Sequence, residues 1–302
     1  MPRSCEGMGE SFFILDAQHN VLAHLAGRPN DDQTWNDACH GAADKLQDVR
    51  RRMNPTAEEC VHRRGRFATL RAGISYGGGQ THPQNMDPGK YADLIQEILQ
   101  DPNVRRISGF ANSSFAVGAP KLYRYYEDND EQLLRAHPTL HMPFDNSVHT
   151  AATFNLGPQT VTTEHVDSGN LPFGWCAIAA LGNFDPRQGG HFILHQFKLI
   201  IEFPPNSLIH VPSGSVIHSN LPVRPHETRM SMTQYTAGPL FRWVAYGFRT
   251  ERALAVQDPA MKKRLDAERS TRWARAQNYF SKYEALETDI REVFNLPIHK
   301  TA

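Results

Sequence analysis

Trp175-Cys176-Ala177-Ile178-Ala179-Ala180-Leu181 is one of several short apolar or alternating runs between residues 148 and 250. Glycine, proline, asparagine and aspartate separate these runs. Short strands joined by such turn residues are typical of a β-sandwich or a barrel. The predicted strands cover residues 150–156, 175–181, 190–195, 198–203, 207–211, 230–235 and 241–248.

The segments on either side of this region have a different pattern. Residues 11–26 predict a β-hairpin, and apolar positions at helical spacing predict helices at 34–52, 88–99, 119–136 and 258–294. The chain is therefore expected to be an α+β protein. Its expected parts are an N-terminal α/β supporting region packed on the core (1–147), the β core (148–250) and a C-terminal helical extension (251–302).

The composition narrows the class of protein. The 32 basic residues balance the 32 acidic ones, so the chain has no global positive field that would attract nucleic acid, although a local basic face remains open. No run of about 18 apolar residues is present, and acidic residues surround the first apolar run, which argues against a membrane span and a signal peptide. Four scattered cysteines fit a reducing compartment, so we expect an intracellular protein, nuclear or cytoplasmic. They are Cys5, Cys39, Cys60 and Cys176.

Glu164-His165-Val166-Asp167 carries the first candidate metal ligands. Side chains two residues apart on an extended segment point the same way, so His165 and Asp167 can reach one ion. The β-branched residues at 160–163 favour that extended backbone. Two imidazoles and one carboxylate on one side of a metal are the ligand set of non-haem Fe(II) oxygenases. A second histidine is therefore needed from elsewhere in the chain.

Four later histidines compete for that position: His191, His195, His210 and His218. Of these, His218 follows a short strand-like run and precedes a polar turn. It also has Arg229 eleven residues further on, where a hairpin through residues 221–227 would place both side chains in one barrel mouth. An arginine there supplies a fixed cation for a co-substrate carboxylate. We therefore predict His218 as the third ligand.

With these residues in place, residues 155–248 resemble the Fe(II)/2-oxoglutarate dioxygenase superfamily. The resemblance includes the His165-x-Asp167 step, a Pro-Pro-Asn turn at 204–206, His218 and Arg229-x-Ser231. The turn departs from the family, which commonly has Pro-Gly there, but asparagine tolerates the left-handed conformation. The resemblance implies a double-stranded β-helix (jelly-roll) core with flanking N-terminal and C-terminal helices.

The same resemblance implies the cofactor and the residue roles. Fe(II) would be held by His165, Asp167 and His218, with 2-oxoglutarate and O₂ as co-substrates. Arg229 would bind the far carboxylate of 2-oxoglutarate, assisted by Ser231. Two residues on neighbouring strands, Asn155 and Tyr235, are further candidates for the co-substrate pocket, each with an ordinary structural role as its alternative. The expected reaction is hydroxylation of a substrate C–H bond with release of succinate and CO₂.

The chain also resembles a narrower group, the uncharacterised dioxygenase-like proteins of mushroom-forming fungi. The shared phrases lie at residues 74–80, 174–178 and 234–238. Some members are thought to be related to the TET/JBP oxygenases of modified nucleobases such as 5-methylcytosine, which makes DNA or RNA a candidate partner.

The sequence says less about the substrate than about the cofactor. Residues 45–71 hold eight basic residues against three acidic ones, which fits either phosphate contacts or a solvated helix face. Aromatic residues for stacking on an extruded base would be Tyr76, Tyr123, Phe173 and Trp175, which equally fit a core. The alternatives are a hydroxylase of a protein side chain or small metabolite, and a non-catalytic cupin-like metal-binding protein.

Overall fold

A computed structural model describes residues 11–297 of the protein. The α-helices of this part of the chain are α1 Asp32–Met53, α2 Ala92–Gln100, α3 Pro102–Gly118, α4 Pro120–Ala136, α5 Gly238–Ala245, α6 Glu251–Gln257, α7 Pro259–Ala267, α8 Arg272–Ala276 and α9 Leu286–Val293. The strands are β1 Phe12–Leu15, β2 Val21–Gly27, β3 Val61–His62, β4 Gly65–Arg66, β5 Thr69–Ser75, β6 Gln84–Asn85, β7 Ala151–Asn155, β8 Cys176–Asn183, β9 Phe192–Leu194, β10 Leu199–Ile201, β11 Leu208–Val211, β12 His218–Asn220 and β13 Thr228–Tyr235.

Two antiparallel sheets organise the described chain. The larger has the order β1-β2-β11-β8-β13-β7-β5-β6, and the smaller has the order β10-β9-β12. A separate two-stranded hairpin pairs β3 with β4. The combination of helices with antiparallel sheets confirms the predicted α+β class. Six of the seven strands predicted between residues 148 and 250 are present, and the N-terminal hairpin forms as β1 and β2.

The seventh predicted strand, at residues 241–248, is wrong. This stretch lies mainly in helix α5, which begins at Gly238 with Pro239 in its first turn. Proline is favoured there because its fixed φ suits a helix and its missing N–H would have no partner in the first turn. Leu240, Phe241 and Trp243 are buried. A short run this apolar has no clear period, so strand and helix cannot be separated without the Gly-Pro start.

Helices cover one face of the large sheet. The predicted inward face of α1 is confirmed, since Trp35, Leu46 and Val49 are at most 1% exposed. They join one apolar cluster with α2, α3 and the outer faces of β7, β8 and β13. The prediction missed α3, and the helix predicted at 119–136 is α4. The predicted C-terminal helix is divided into short helical segments from Pro259 to Val293.

The other face of the large sheet contacts the small sheet. A second apolar cluster joins Ile178 and Ala180 of β8 with Phe192, Leu194 and Ile201 of the small sheet. This packing leaves a polar cavity at one end, between the sheets, and that cavity contains the candidate site.

Some sequence expectations concern segments at the ends of the chain. Cys5 and the acidic residues of the first ten positions lie outside the described residues, as do residues 298–302. Within the described part, Cys39, Cys60 and Cys176 are free thiols. No helix between residues 11 and 297 is both long and apolar enough to cross a membrane.

Candidate metal centre

The segment that carries the first two candidate ligands is tied to strand β12. The backbone N–H of His165 donates to the carbonyl of His218 at 3.1 Å, and the N–H of His218 donates back at 2.9 Å. The two residues therefore face each other as a hydrogen-bonded antiparallel pair. Their rings lie 4.3 Å apart between centroids. Pairing of two short extended segments thus brings together histidines that are 53 positions apart in sequence.

The ring hydrogen bonds orient both imidazoles. His165 Nδ1 lies 2.7 Å from the carbonyl of Thr163, and His218 Nδ1 lies 2.9 Å from the carbonyl of Val216. Because a carbonyl only accepts, each Nδ1 carries the proton and each Nε2 keeps a free lone pair. This is the tautomer that a metal-binding histidine needs.

The three candidate ligands converge. His165 Nε2 lies 3.7 Å from Asp167 Oδ1, and His218 Nε2 lies 3.9 Å from Asp167 Oδ2. All three ligand atoms are within 4.8 Å of one another, and all three residues are buried. Separations near 4 Å are within reach of one ion bound at about 2.0–2.2 Å from each atom.

Burial also sets the protonation of the histidines. Desolvation lowers the pKa of His165 to about 4, and the nearby His218 lowers it further. Burial likewise lowers the pKa of His218, against the opposing effect of Asp167. Both imidazoles are therefore neutral at pH 7, as metal binding requires.

The other three candidate histidines lie apart from this cluster. His210 points to the helical face of the large sheet, where its Nε2 lies 2.8 Å from Ser114 Oγ and its ring lies near Phe115. His195 Nε2 contacts Ser219 Oγ at 3.0 Å instead. His191 precedes β9 and is not among the converging groups of the described chain.

The expected hairpin between His218 and Arg229 is wrong. β12 pairs with β9 in the small sheet, whereas β13 pairs with β7 and β8 in the large sheet. Residues 221–227 cross between the sheets rather than turn within one. His218 and Arg229 nevertheless line the same cavity, because the cavity lies between the two sheets.

Arg229 is a buried cation, with 3% of its surface exposed. Its Nη1 donates to the carbonyl of Thr160 at 3.2 Å, and its Nε has no hydrogen-bond partner among residues 11–297. Within the described chain it has no ion pair, and the aromatic rings of Phe184 and Phe203 lie 6.0 Å from its guanidinium carbon. Burial lowers its pKa from 12.5 to about 10. A charge held this way is costly unless an anion joins it.

The alternation of side chains along strands explains where the other predicted pocket residues lie. Arg229, Ser231 and Thr233 of β13 point into the cavity, while the intervening methionines join the helical side. Ser231 is opposite Asn155 on β7, and Asn155 Nδ2 donates to Ser231 Oγ at 2.8 Å. Tyr235 is not one of the cavity-lining residues, and its hydroxyl contacts Thr153 Oγ1 at 3.4 Å.

The cavity has a volume of about 350 Å³ and a basic mouth. Arg63, Arg64 and Arg71 line it, with Asp167 as the acidic residue among the lining side chains. The basic residues between 45 and 71 therefore fall into two groups with different surroundings. Lys45, Arg51 and Arg52 of α1 pair with acidic neighbours on the surface, as on a solvated helix face. Arg63, Arg64 and Arg71 line the cavity instead.

The predicted stacking aromatics are elsewhere. Phe173, Trp175 and Tyr123 are buried in a cluster with α4, and Tyr76 packs on Trp243. The aromatic side chains that do line the cavity are Phe67 and Phe192. Tertiary packing separates these two groups, because the sequence pattern of a core aromatic and of a pocket aromatic is the same.

Two polar residues of the site had no sequence signal that singled them out. Asn220 Oδ1 accepts from the N–H and the hydroxyl of Thr162 at 2.9 and 2.8 Å, and its Nδ2 donates to the carbonyl of Thr160 at 3.1 Å. Arg64 Nη2 lies 2.6 Å from Asp167 Oδ1. The Ser-Asn pair after His218 marked a polar turn, but its partners are about 60 residues away.

Comparisons with known proteins support the fold. No family model matches the chain, and no match is found among curated proteins. Among solved structures, NgTET1 in complex with 5mC DNA matches with a TM-score of 0.55 and 11% identity, over 75% of this chain and 76% of that one. A 2OG-Fe(II) oxygenase family oxidoreductase from Burkholderia pseudomallei matches with a TM-score of 0.35 and 15% identity, over 69% and 92%. A Pseudomonas putida prolyl-4-hydroxylase matches at 0.28 and 15%, over 65% and 87%.

The property that this comparison establishes is the fold. The chain has the fold seen in NgTET1, at an identity too low to carry over substrates or residues. At TM-scores below 0.5, the other two add nothing to the fold assignment. The likeness to NgTET1 therefore shows a shared fold and nothing beyond it. The narrower grouping with fungal dioxygenase-like proteins receives no support from these comparisons.

Proposed function

We propose that this protein is an Fe(II)- and 2-oxoglutarate-dependent dioxygenase that hydroxylates a substrate C–H bond. The observation that carries the proposal is one cavity that holds both a group of metal-ligating atoms and a group without an ionic partner. Two histidine Nε2 atoms and a carboxylate converge, and the buried Arg229 has no anionic partner within the described chain. A metal alone explains the first group, but only an anionic co-substrate explains the second.

The charges support 2-oxoglutarate as that anion. Of the buried groups, Fe(II) with the Asp167 carboxylate has a net charge of +1 and Arg229 adds another, so these groups favour a dianion. The charge of Arg64 beside Asp167 is 40% exposed and therefore partly screened by solvent. 2-Oxoglutarate carries two carboxylates, of which one suits a metal and the other suits the planar guanidinium. Ser231 and Asn155 supply polar atoms beside Arg229. The proposed role of Tyr235 is indirect, through Thr153, which lines the cavity.

His165, Asp167 and His218 are the proposed Fe(II) ligands, since their donor set and their tautomers fit this metal. When bound, the iron would supply the activation of O₂ for C–H hydroxylation. The protein holds its two imidazoles neutral, fixes the co-substrate through Arg229 and keeps the site between two sheets. Burial of these groups limits the access of water.

The wider architecture is proposed on the same basis. The large and small antiparallel sheets, which pack through one apolar cluster, correspond to the double-stranded β-helix that the family resemblance implies. The proposed division keeps the catalytic core at 148–250, with supporting regions at 1–147 and 251–302. β1, β2 and β5 from the first region extend the large sheet, which fits a supporting role.

A modified nucleobase in DNA or RNA is the substrate that we propose within this class. Arg63, Arg64 and Arg71 at the cavity mouth suit phosphate contacts, and the fold is shared with a protein solved with 5mC DNA. The test is binding of methylated and unmethylated oligonucleotides at increasing salt. Affinity should fall steeply with salt, because phosphate contacts release counterions. Absent or salt-insensitive binding favours the alternatives, a protein side chain or a small metabolite.

Turnover tests the reaction class. Purified protein with Fe(II), O₂ and labelled 2-oxoglutarate should release succinate and CO₂, with faster release in the presence of the substrate. A screen should begin with methylated DNA and RNA oligonucleotides, followed by peptides and metabolites. A protein that binds iron but never consumes 2-oxoglutarate would instead be the cupin-like binding protein.

Ligand substitution tests the metal assignment. His218→Ala should abolish Fe(II) binding, because it removes one of three ligands. His210→Ala is the matched control, since His210 is equally buried but lies among aromatic residues on the other face of the sheet. Loss of iron binding in His210→Ala together with its retention in His218→Ala would overturn the assignment.

A further inference from the structure

The hairpin of β3 and β4 lies directly on the metal-ligand segment, residues 161–167. Its turn is Arg63-Arg64, and both arginines line the cavity. We propose that this hairpin, residues 61–66, is the positioning element that holds His165 and Asp167 in a metal-binding arrangement. The inference rests on the proposed function, since it concerns the same metal centre.

The first support is a backbone connection. The N–H of Thr163 donates to the carbonyl of Arg64 at 2.8 Å. The carbonyl of the same Thr163 accepts from His165 Nδ1 at 2.7 Å. The hairpin therefore holds Thr163, the residue whose carbonyl orients the ring of His165. On its other side the segment is bound to β12 through Asn220, so it is held from two directions.

The second support is close packing at Gly65. A Cβ added there would lie 2.3 Å from the carbonyl oxygen of Val161 and 2.8 Å from the ring of Phe67. No side chain fits at that distance, so the hairpin approaches the segment at a point where only glycine is tolerated. Residues 61–66 and 161–167 thus form one packed unit.

The third support concerns the carboxylate. Arg64 Nη2 lies 2.6 Å from Asp167 Oδ1, and the Arg64 side chain is 40% exposed. Among residues 11–297 it is the cationic side chain that pairs with Asp167. Arg63 in the same turn donates instead to the carbonyl of Val166 at 3.3 Å. The turn of the hairpin therefore contacts both Val166 and Asp167, the last two residues of the metal-ligand segment.

Gly65→Ala provides the test, because it displaces the hairpin without changing any charge. Gly169→Ala is the matched control. Gly169 lies two residues beyond Asp167, and an added Cβ there meets no atom of residues 11–297 within 4 Å. We expect Gly65→Ala to weaken Fe(II) binding about tenfold or more, the range for loss of groups that orient metal ligands. Gly169→Ala should bind Fe(II) like the wild type. Affinity is measured by anaerobic titration, and the Mn(II) electron paramagnetic resonance spectrum should broaden only in Gly65→Ala.

A second variant covers the case in which Gly65→Ala does not fold. Arg64→Ala removes a positioning contact but also a charge that repels the metal, and the two effects oppose each other. At 1 M salt the Debye length is about 3 Å. The repulsion acts over a longer distance than the 2.6 Å contact with Asp167 and is therefore screened more strongly. Fe(II) binding of Arg64→Ala at that salt should be weaker than in the wild type.

The outcomes separate this inference from the proposed function. Equal Fe(II) affinity in Gly65→Ala and Gly169→Ala, or binding in Arg64→Ala at 1 M salt as tight as in the wild type, overturns the role of the hairpin and leaves the metal centre standing. A wild type that binds no Fe(II) overturns both.

Discussion

Arg229→Met is expected to raise stability and remove co-substrate binding in one change. Burial lowers the pKa of Arg229 from 12.5 to about 10. At about 1.4 kcal/mol per pKa unit, holding this charge in the ligand-free protein costs about 3 kcal/mol. Methionine keeps the apolar stem and loses one hydrogen bond to Thr160, worth about 1 kcal/mol. The free energy of unfolding of the ligand-free variant should therefore rise by about 2 kcal/mol.

The same variant should bind 2-oxoglutarate much more weakly. Truncating one partner of a buried charge pair costs about 2–5 kcal/mol, which corresponds to roughly a 30- to 4,000-fold weaker affinity. Calorimetric titration of 2-oxoglutarate into the Mn(II)-loaded protein measures this loss, and urea unfolding of the ligand-free protein measures the gain in stability. Arg187→Met is the control, because its side chain is 74% exposed and pairs with Asp185 at the surface. It should change neither quantity appreciably.

The reasoning would be refuted by a variant that is less stable than the wild type and still binds 2-oxoglutarate normally. That result would mean that Arg229 is a structural cation whose cost is offset by contacts within the fold. A stable variant with normal binding would equally remove 2-oxoglutarate from this end of the cavity.

Three further predictions concern stability. Burial lowers the pKa of His24 to about 4 and that of His149 to about 3, so the unfolded chain takes up protons below pH 6.5 that the folded chain does not. Stability should then fall from about pH 6.5 to pH 4, by up to about 1.4 kcal/mol per pH unit for each histidine. His149→Phe should reduce that slope in urea unfolding, and an unchanged slope would contradict the assignment. Asn220→Ala should lose about 2–3 kcal/mol in the same assay, because its bonds to Thr160 and Thr162 are lost; a loss under 0.5 kcal/mol would argue against a stabilising role of these bonds. Fe(II) at 100 times its Kd should add about 2.7 kcal/mol, and a chelator should reverse this gain; no shift on metal addition would count against the metal centre.

Local patterns predicted most of the regular structure, and the failures have identifiable causes. Helix α3 was missed although Asp101-Pro102 marks its start, with the Asp101 side chain accepting from two backbone N–H groups. Its serines, asparagines and glycines are weak helix formers, and packing of Val104, Ile107 and Phe115 outweighs that weakness. At α5, the Gly-Pro start was the usable signal, and the apolar run behind it was not.

Some features of the candidate site could be predicted from the sequence, and others depended on the tertiary structure. His165 and Asp167 could be paired from sequence, because two residues on an extended segment share a side whatever the fold. The choice of His218 over His210 depended on context, and the structure shows why context matters. Neighbouring positions of a strand face opposite sides, so His210 lies in the helical core while Ile209 and Val211 face the small sheet.

By itself, the sequence determined which chemical groups were available: two imidazoles, a carboxylate and a guanidinium, with strands to carry them. Tertiary structure alone decided which groups meet. The packing of two sheets joins His165 to His218 and places Arg64 against Asp167. It leaves Arg229 buried without a carboxylate partner in the described part of the chain. These are contacts between residues tens of positions apart. Their distances depend on sheet order and register, which no local propensity specifies.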